Sequence, residues 1–275
     1  MPGRNDACPC ASGAKYKKCC LPLERYFVPT TPPIAEHSFL AEVLEESPEL
    51  RSFMGEERGR LSLPVRWFVD PTIAADTRAR ITSIPGVVHQ VRFHESPTDP
   101  VDVAHELAHA LVEVDGVALV GALRADLDDF SAALSGIPAH PRVHAYLHKH
   151  GFDLSRVYEQ EVEGDLAKLR RVASEPSDHF TVAIWTLNYA KMRLMHRQVA
   201  ELTAHDGVDR YDDFFAARFP NVHREAVETL AEIDRYDLTD IDEQARLLKA
   251  LKERCKLPED GLVVLRTPVV WPLNG

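Results

Sequence analysis

The sequence predicts an α+β fold that is mostly α-helical, with a small sheet beside one amphipathic helix. Apolar residues recur at helical spacing over residues 99–114 and through most of the chain after residue 176. Two stretches that alternate apolar and polar residues, 63–70 and 86–94, indicate strands directly before the first of these helices. Four cysteines crowded near the N-terminus predict a separate, metal-bound module.

The helix that begins near Asp99 contains the candidate chemistry. Asp99 can cap its first turn, and Pro100 suits the first helical position. Its apolar residues fall on one face, which comprises Val103, Ala104, Leu107, Ala108, Leu111 and Val112. His105 and His109 lie one turn apart on the other side, with Glu106 between them in the sequence. Two imidazoles at this spacing can hold one zinc ion, and the carboxylate can reach a metal-bound water.

Length and composition limit the classes of protein. A chain of 275 residues is long enough for one large domain or two modest ones. The 32 basic residues against 43 acidic ones give a net charge of −11, which argues against broad nucleic-acid or anionic-membrane binding. The sequence has no apolar stretch long enough to span a membrane and no segment resembling a secretion signal. We therefore expect a cytoplasmic protein.

The N-terminal cysteines have the spacing C-x-C-x8-C-C, formed by Cys8, Cys10, Cys19 and Cys20. Without an export signal, such clustering favours metal over disulfides. Four thiolates complete a closed tetrahedral zinc site, so this zinc is predicted to be structural. A segment this short cannot bury a core, and metal binding must supply its folding free energy.

Residues 3–20 closely resemble the SEC-C motif, the zinc-binding tail first described in the SecA preprotein translocase ATPase. The matching positions are Gly3, Arg4, Asn5, Asp6, Cys8, Pro9, Cys10, Ser12, Gly13, Lys15, Tyr16, Lys17, Lys18, Cys19 and Cys20. Ala7, Ala11 and Ala14 replace the usual Pro, Gly and Lys, and none of these is a ligand. The resemblance implies zinc binding by the four cysteines and docking to a protein partner or the ribosome. It does not identify the function of the remaining chain.

Two strands followed by an HExxH helix resemble the zincin metallopeptidases, over residues 63–135. In that family a small sheet packs beside the active-site helix, and its edge strand aligns the substrate. The resemblance implies that His105 and His109 bind a second, catalytic zinc and that Glu106 acts as general base on a peptide or protein substrate. Glu113 could approach the metal from the same helix, but solvent or a basic neighbour is its expected partner.

A catalytic zinc needs a third protein ligand and one open position. In the gluzincin branch of the family this ligand is an acidic residue on the next helix, which we predict over residues 121–135. Asp129 is the first choice and Asp126 an alternative, although the family usually has Glu. His140 can cap a new helix with Pro141 in its first turn, and it is a further alternative if the start of that helix folds over the HExxH helix.

The other elements are predicted from local patterns. Before the HExxH helix we expect a linker over 21–35, a short helix over 36–46, loop with some helix over 51–62, and a short helix or turn over 71–83. After residue 150 we expect helices over 157–173, 178–203, 208–219, 222–236 and 239–256, the last capped by Thr239. Residues 262–275 are expected to be extended and either to add an edge strand or to dock in a groove.

These patterns divide the chain into four predicted regions. They are the SEC-C-like knuckle (1–22), a linker with a short helix (23–62), the zincin-like HExxH domain (63–175) and a helical C-terminal region (176–275). The first functional hypothesis is a zinc-dependent metallohydrolase of the peptidase type. The alternative is a non-catalytic adaptor whose SEC-C motif binds a protein partner or the ribosome. A third option combines the two in a peptidase of a toxin–antitoxin or phage-response system.

Overall fold

The computed structural model describes residues 4–7, 15–18, 31–73, 79–84, 87–203 and 210–267. These residues are mostly helical and contain two small sheets, in agreement with the predicted α+β class. The chain divides into two compact units. Met1–Val114 and Lys149–Phe152 belong to the first unit, and Asp115–His148 and Asp153–Pro268 form the second. The four regions predicted from the sequence remain a prediction.

The first unit opens with three short helices, α1 (Glu36–Phe39), α2 (Ala41–Glu46) and α3 (Pro48–Glu57). The expectation of mainly loop over residues 51–62 is wrong, because α3 continues to Glu57. The Ser47 hydroxyl caps α3 by accepting the backbone N–H of Leu50, and Pro48 is its first residue. The Ser-Pro pair that ends one helix therefore starts the next.

The sheet of the first unit has three strands, β1 (Val65–Val69), β2 (Ala79–Ile84) and β3 (Val88–Phe93), in the spatial order β1-β3-β2. β3 pairs parallel with β1 and antiparallel with β2. β1 and β3 are the two strands that the sequence predicts. β2 corrects the prediction of a short helix or turn over 71–83, since its two isoleucines and its threonine favour a strand once β3 pairs along its whole length.

The HExxH helix is α4 (Pro100–Val114), and it agrees with the prediction. The Asp99 carboxylate accepts the backbone N–H of Val101 at 3.1 Å, which caps the first turn. The predicted apolar face is almost completely inaccessible to solvent. Within the first unit α4 contacts α3, β2 and β3, so the sheet lies beside the HExxH helix as expected.

The second unit begins with β4 (Ala118–Ala122), followed by α5 (Asp128–Lys149). The prediction of a helix over 121–135 is therefore wrong at its start, because these residues first complete a strand. β4 pairs antiparallel with β5 (Leu262–Arg266), which confirms the expected C-terminal strand within the described residues. The pairing partner lies about 140 positions away along the chain, and nothing local in the sequence indicates it.

The outer edge of β4 is covered by side chains rather than by a third strand. The Ser135 hydroxyl accepts the backbone N–H of Val120, and the Ser131 hydroxyl donates to the carbonyl of the same residue. The amide oxygen of Gln244 accepts the N–H of Ala118. These hydrogen bonds satisfy edge groups that would otherwise be unpaired.

The remaining helices are α6 (Leu154–Arg171), α7 (His179–Thr203), α8 (Arg210–Arg218), α9 (Pro220–Ile233) and α10 (Ile241–Arg254). All five lie close to their predicted positions. The cap of α10 is Asp240 rather than Thr239, because the Asp240 carboxylate accepts the N–H groups of Asp242 and Glu243. In the parts of the chain that the structure describes, no helix is both long and apolar enough to cross a membrane.

The prediction of a new helix starting at His140 is also wrong. His140 and Pro141 lie inside α5, which passes through Pro138 and Pro141 without a break. The missing N–H of Pro141 removes the donor that would bind the Ile137 carbonyl in a regular helix. Close to this point Gln198 on α7 binds α5, because its side chain donates to the Pro141 carbonyl and its Oε1 lies 3.0 Å from Nδ1 of His144. α5 therefore continues past Pro141 without that main-chain hydrogen bond, and Gln198 joins α5 to α7 at the same place.

Candidate metal centre on helix α4

The two histidines of the HExxH pattern lie half-buried and face each other on α4. The Nε2 atoms of His105 and His109 are 3.2 Å apart, and their ring centroids are 4.9 Å apart. Two nitrogen ligands of a tetrahedral zinc ion lie about 3.3 Å apart when each bond is about 2.0–2.1 Å. The separation of the two nitrogens therefore fits one shared zinc ion.

Glu106 is the carboxylate next to this pair. Only 8% of the residue is exposed, although it lies beside the polar side of an amphipathic helix. A merely solvated His-Glu-His face would leave this carboxylate in water. A buried carboxylate beside two facing imidazoles is suited to take a proton from water, which is the predicted role.

Glu113, one turn after His109, does not have the expected solvent or basic partner. Its carboxyl is hydrogen-bonded to Ser83 on β2, and burial raises its pKa to about 7. The Ser83 hydroxyl also lies 2.8 Å from Nδ1 of His89 on β3. Burial, reinforced by repulsion from Arg58, lowers the pKa of His89 to about 4, so this imidazole is neutral at pH 7.

Ser83 and His89 are polar residues at the site that the sequence analysis missed. The missed strand β2 explains the omission, because Ser83 lies opposite His89 only in the β2–β3 register. The β-branched residues of β2, Ile81, Thr82 and Ile84, were the available signal for this strand.

The three candidates for a third ligand belong to the second unit. Asp126 is exposed and forms an ion pair with Arg124, whose Nη2 lies 2.6 Å from the carboxylate. Asp129 is exposed in the first turn of α5. His140 is half-buried in the middle of α5. The identity of the third ligand remains a prediction.

His140 has a defined orientation within the second unit. Its Nδ1 lies 2.9 Å from the carbonyl oxygen of Gly136. Because a carbonyl can only accept, Nδ1 carries a proton, which leaves Nε2 as the nitrogen that can bind a metal. Metal-binding histidines commonly show this arrangement, with one ring nitrogen donating to a carbonyl and the other free of hydrogen.

A second group of acidic residues and histidine lies in the first unit, formed by Glu56, Glu57 and His150. The buried Glu57 carboxylate accepts hydrogen bonds from Arg60 and Lys149, each at 2.6 Å, and from His150 at 3.2 Å. Burial acts to raise its pKa, but these hydrogen bonds lower it to about 2. Because two cationic side chains already bind this carboxylate, the group has the geometry of an ion-pair cluster rather than of a metal site.

The N-terminal segment is described only at its two ends. The carbonyls of Arg4 and Asp6 accept the backbone N–H groups of Lys17 and Tyr16, at 3.0 and 2.9 Å. These main-chain hydrogen bonds join the two ends of the predicted knuckle. Its predicted ligands, Cys8, Cys10, Cys19 and Cys20, lie outside the described residues.

Comparison with known protein families gives a match between residues 4–22 and the SEC-C motif. This motif is of a zinc-binding type, so the match indicates zinc binding near the N-terminus. It covers less than a tenth of the chain and therefore says nothing about the HExxH region. No solved structure matches the chain.

Proposed function

We propose that the chain is a zinc-dependent metallohydrolase of the peptidase type, with a structural zinc module that docks a protein partner. The observation that supports the hydrolase is the 3.2 Å separation between Nε2 of His105 and Nε2 of His109, with Glu106 buried beside them. The module is supported by the SEC-C match at residues 4–22.

Each residue has a defined role in this proposal. His105 and His109 hold a zinc ion through Nε2, and the third ligand is one of Asp129, Asp126 and His140. Bound zinc would polarise a substrate carbonyl and lower the pKa of a water molecule. Glu106 accepts a proton from that water and returns it to the leaving amine.

The edge strand β2 supports a peptide as the substrate class. β2 lies at the edge of the sheet, runs antiparallel to β3 and contacts α4. An extended peptide can add to such an edge through main-chain hydrogen bonds. This arrangement would align a substrate along the helix that contains the histidine pair.

Zinc stoichiometry tests the proposal. We expect two zinc ions per chain in the wild type, and one each in Cys19→Ser/Cys20→Ser and in His105→Ala. Metal analysis of Asp129→Ala, Asp126→Ala and His140→Ala then identifies the third ligand as the variant that also loses one ion. If the wild type holds a single zinc that disappears when residues 1–22 are removed, the hydrolase proposal fails.

The adaptor is the second candidate, and the SEC-C match favours it because that match concerns a docking module alone. Here the HExxH helix would be inert or would hold structural metal. Capture of a protein partner that requires the four cysteines but tolerates Glu106→Gln, together with no hydrolysis by the wild type, would support the adaptor.

A further inference from the structure

Three polar side chains connect the edge strand to the helix of the candidate metal centre. We propose that Ser83 is a positioning residue, which together with His89 and Glu113 forms a relay that holds β2 in one place against α4. The role in substrate alignment rests on the proposed function, whereas the relay itself can be tested without it.

The geometry links three elements through one hydroxyl. Ser83 on β2 is directly opposite His89 on β3, so the two side chains lie on the same face of the sheet. The Ser83 Oγ atom is 2.8 Å from Nδ1 of His89. Glu113 of α4 reaches the same hydroxyl, one helical turn beyond His109. The contact therefore lies next to the candidate metal pair.

The proton count makes this relay directional. The Ser83 hydroxyl has one proton, so it can donate to only one of its two neighbours and must accept from the other. Either the Glu113 carboxyl donates to Ser83 and Ser83 donates to His89, or Nδ1–H of His89 donates to Ser83 and Ser83 donates to Glu113. Both arrangements hold all three side chains in defined rotamers.

Stability alone does not explain a polar network at this position. Burial opposes ionisation of both Glu113 and His89, and apolar residues of similar size could fill the same space without that penalty. A satisfied buried network does, however, select one arrangement of the elements that it joins. The arrangement selected here is that of the edge strand relative to the helix.

Placement of β2 matters for a peptidase because the strand would set the position of the bound peptide. A displacement of about 1 Å between reacting groups can reduce the rate about 100-fold. The relay would thus control turnover without contacting substrate or metal.

The experiment compares three variants of the full zinc-loaded chain. Ser83→Ala removes the hydroxyl, Ser83→Thr keeps it, and Thr82→Ala is the matched control. Thr82 is the neighbouring half-buried residue of β2, and its hydroxyl accepts a different hydrogen bond, from Arg92 at 3.3 Å. The readouts are amide hydrogen exchange in β2, the ring-nitrogen NMR shifts of His89, zinc content, and kcat and KM on fluorescein-labelled casein.

We expect Ser83→Ala to speed exchange in β2 by up to about tenfold, the effect of losing one net hydrogen bond. The His89 ring-nitrogen shifts should change, zinc content should stay constant, and kcat should fall at least about tenfold. Ser83→Thr should restore these values, and Thr82→Ala should leave the His89 shifts unchanged.

Two results would overturn the relay. One is wild-type exchange and wild-type His89 shifts in Ser83→Ala. The other is an equal change in Thr82→Ala, which would indicate general loosening of the strand. If wild-type protein does not hydrolyse casein, the proposed function fails, while exchange and His89 shifts still decide whether the relay exists.

Discussion

The polar side chains of this protein differ in their exposure to solvent. Buried ones are suited to a chemical role, whereas exposed ones are simply solvated. Glu106 is 8% exposed and lies beside two facing imidazoles. By contrast, the side chain of Asp126 is 61% exposed and is paired with Arg124. A carboxylate in water has little effect on a neighbouring reaction, whereas one in a low-dielectric setting interacts strongly. This contrast makes Glu106 the residue most informative to change.

Glu106→Gln tests the predicted general base. The amide keeps the shape of the side chain but cannot accept the proton, so we expect full zinc content and a loss of turnover of about 10²- to 10⁴-fold. Metal analysis and hydrolysis of labelled casein measure the two effects. Turnover within threefold of wild type would exclude Glu106 from this role.

Two buried histidines predict a pH dependence of stability. Burial lowers the pKa of His89 and of His144 to about 4. Between pH 6.5 and 4 these two histidines bind more protons in the unfolded chain than in the folded one. Their contribution to the free energy of unfolding is therefore complete above pH 6.5 and is lost as the pH falls through this window. Each histidine can contribute about 3 kcal/mol to this change.

Urea unfolding at pH 7.5, 6.0, 5.0 and 4.5 measures this dependence. His144→Gln should flatten the curve, and His148→Gln should not, because His148 is exposed on the same helix. A free energy of unfolding that stays constant over this range would contradict the neutral buried state.

At the scale of single elements, side chains at the ends and packing along the sides decide where each helix begins and continues. Asp99, Ser47 and Asp240 each accept main-chain N–H groups at the start of a helix. α5 is different, because it passes through two prolines, and the Gln198 side chain binds it at the Pro141 carbonyl. Residue 136 of this helix is a glycine for a steric reason, since a Cβ atom there would lie 2.8 Å from Nδ1 of His140.

Gly136→Ala tests this steric reason. The added methyl group must displace the His140 ring and its hydrogen bond, so we expect a loss of about 1–3 kcal/mol in the free energy of unfolding. Gly164→Ala on α6 is the control, because nothing lies within 4 Å of its Cβ position. That variant should gain up to about 1 kcal/mol from helix propensity. Equal effects in both variants would contradict the close contact.

At the scale of the whole molecule, contacts between distant parts of the sequence complete each unit. Glu57 binds Lys149 and His150, which lie more than 90 residues later but belong to the same unit. β4 and β5 pair across a still longer separation. Such contacts form only in the folded chain. Among them, the contacts of the buried Glu57 carboxylate depend most on pH.

Glu57→Gln should lower the free energy of unfolding by about 1.5–3 kcal/mol at pH 7, because the buried side chain loses its charge-assisted hydrogen bonds from Arg60 and Lys149. The depressed pKa of Glu57 means that its contribution is present above pH 4.5 and is lost as the pH falls towards 2. Glu56→Gln is the control, since Glu56 is exposed and lies 3.5 Å from Lys149. If Glu57→Gln lowers the free energy of unfolding no more than Glu56→Gln does, the cluster contributes little to stability.

Patterns within one turn or one strand were sufficient to predict a large part of this protein. The boundaries and buried face of α4, the strands β1 and β3, and the C-terminal helices follow from caps and from apolar periodicity, which act between residues close in sequence. The i, i+4 spacing of His105 and His109 likewise predicts their mutual approach. The fold class follows from the same local signals.

Other features depend on partners that lie far away along the chain. Most of β2 was predicted as a short helix or turn, and the end of β4 as the start of a helix, because a strand is stable only beside its neighbour. That neighbour cannot be recognised from the strand itself. α5 continues through Pro138 and Pro141, although the local sequence predicts a new helix at that point. The link from Glu113 through Ser83 to His89 likewise exists only after three elements pack together. Main-chain hydrogen bonds within a helix join residues close in sequence, but burial and strand pairing are properties of the assembled unit.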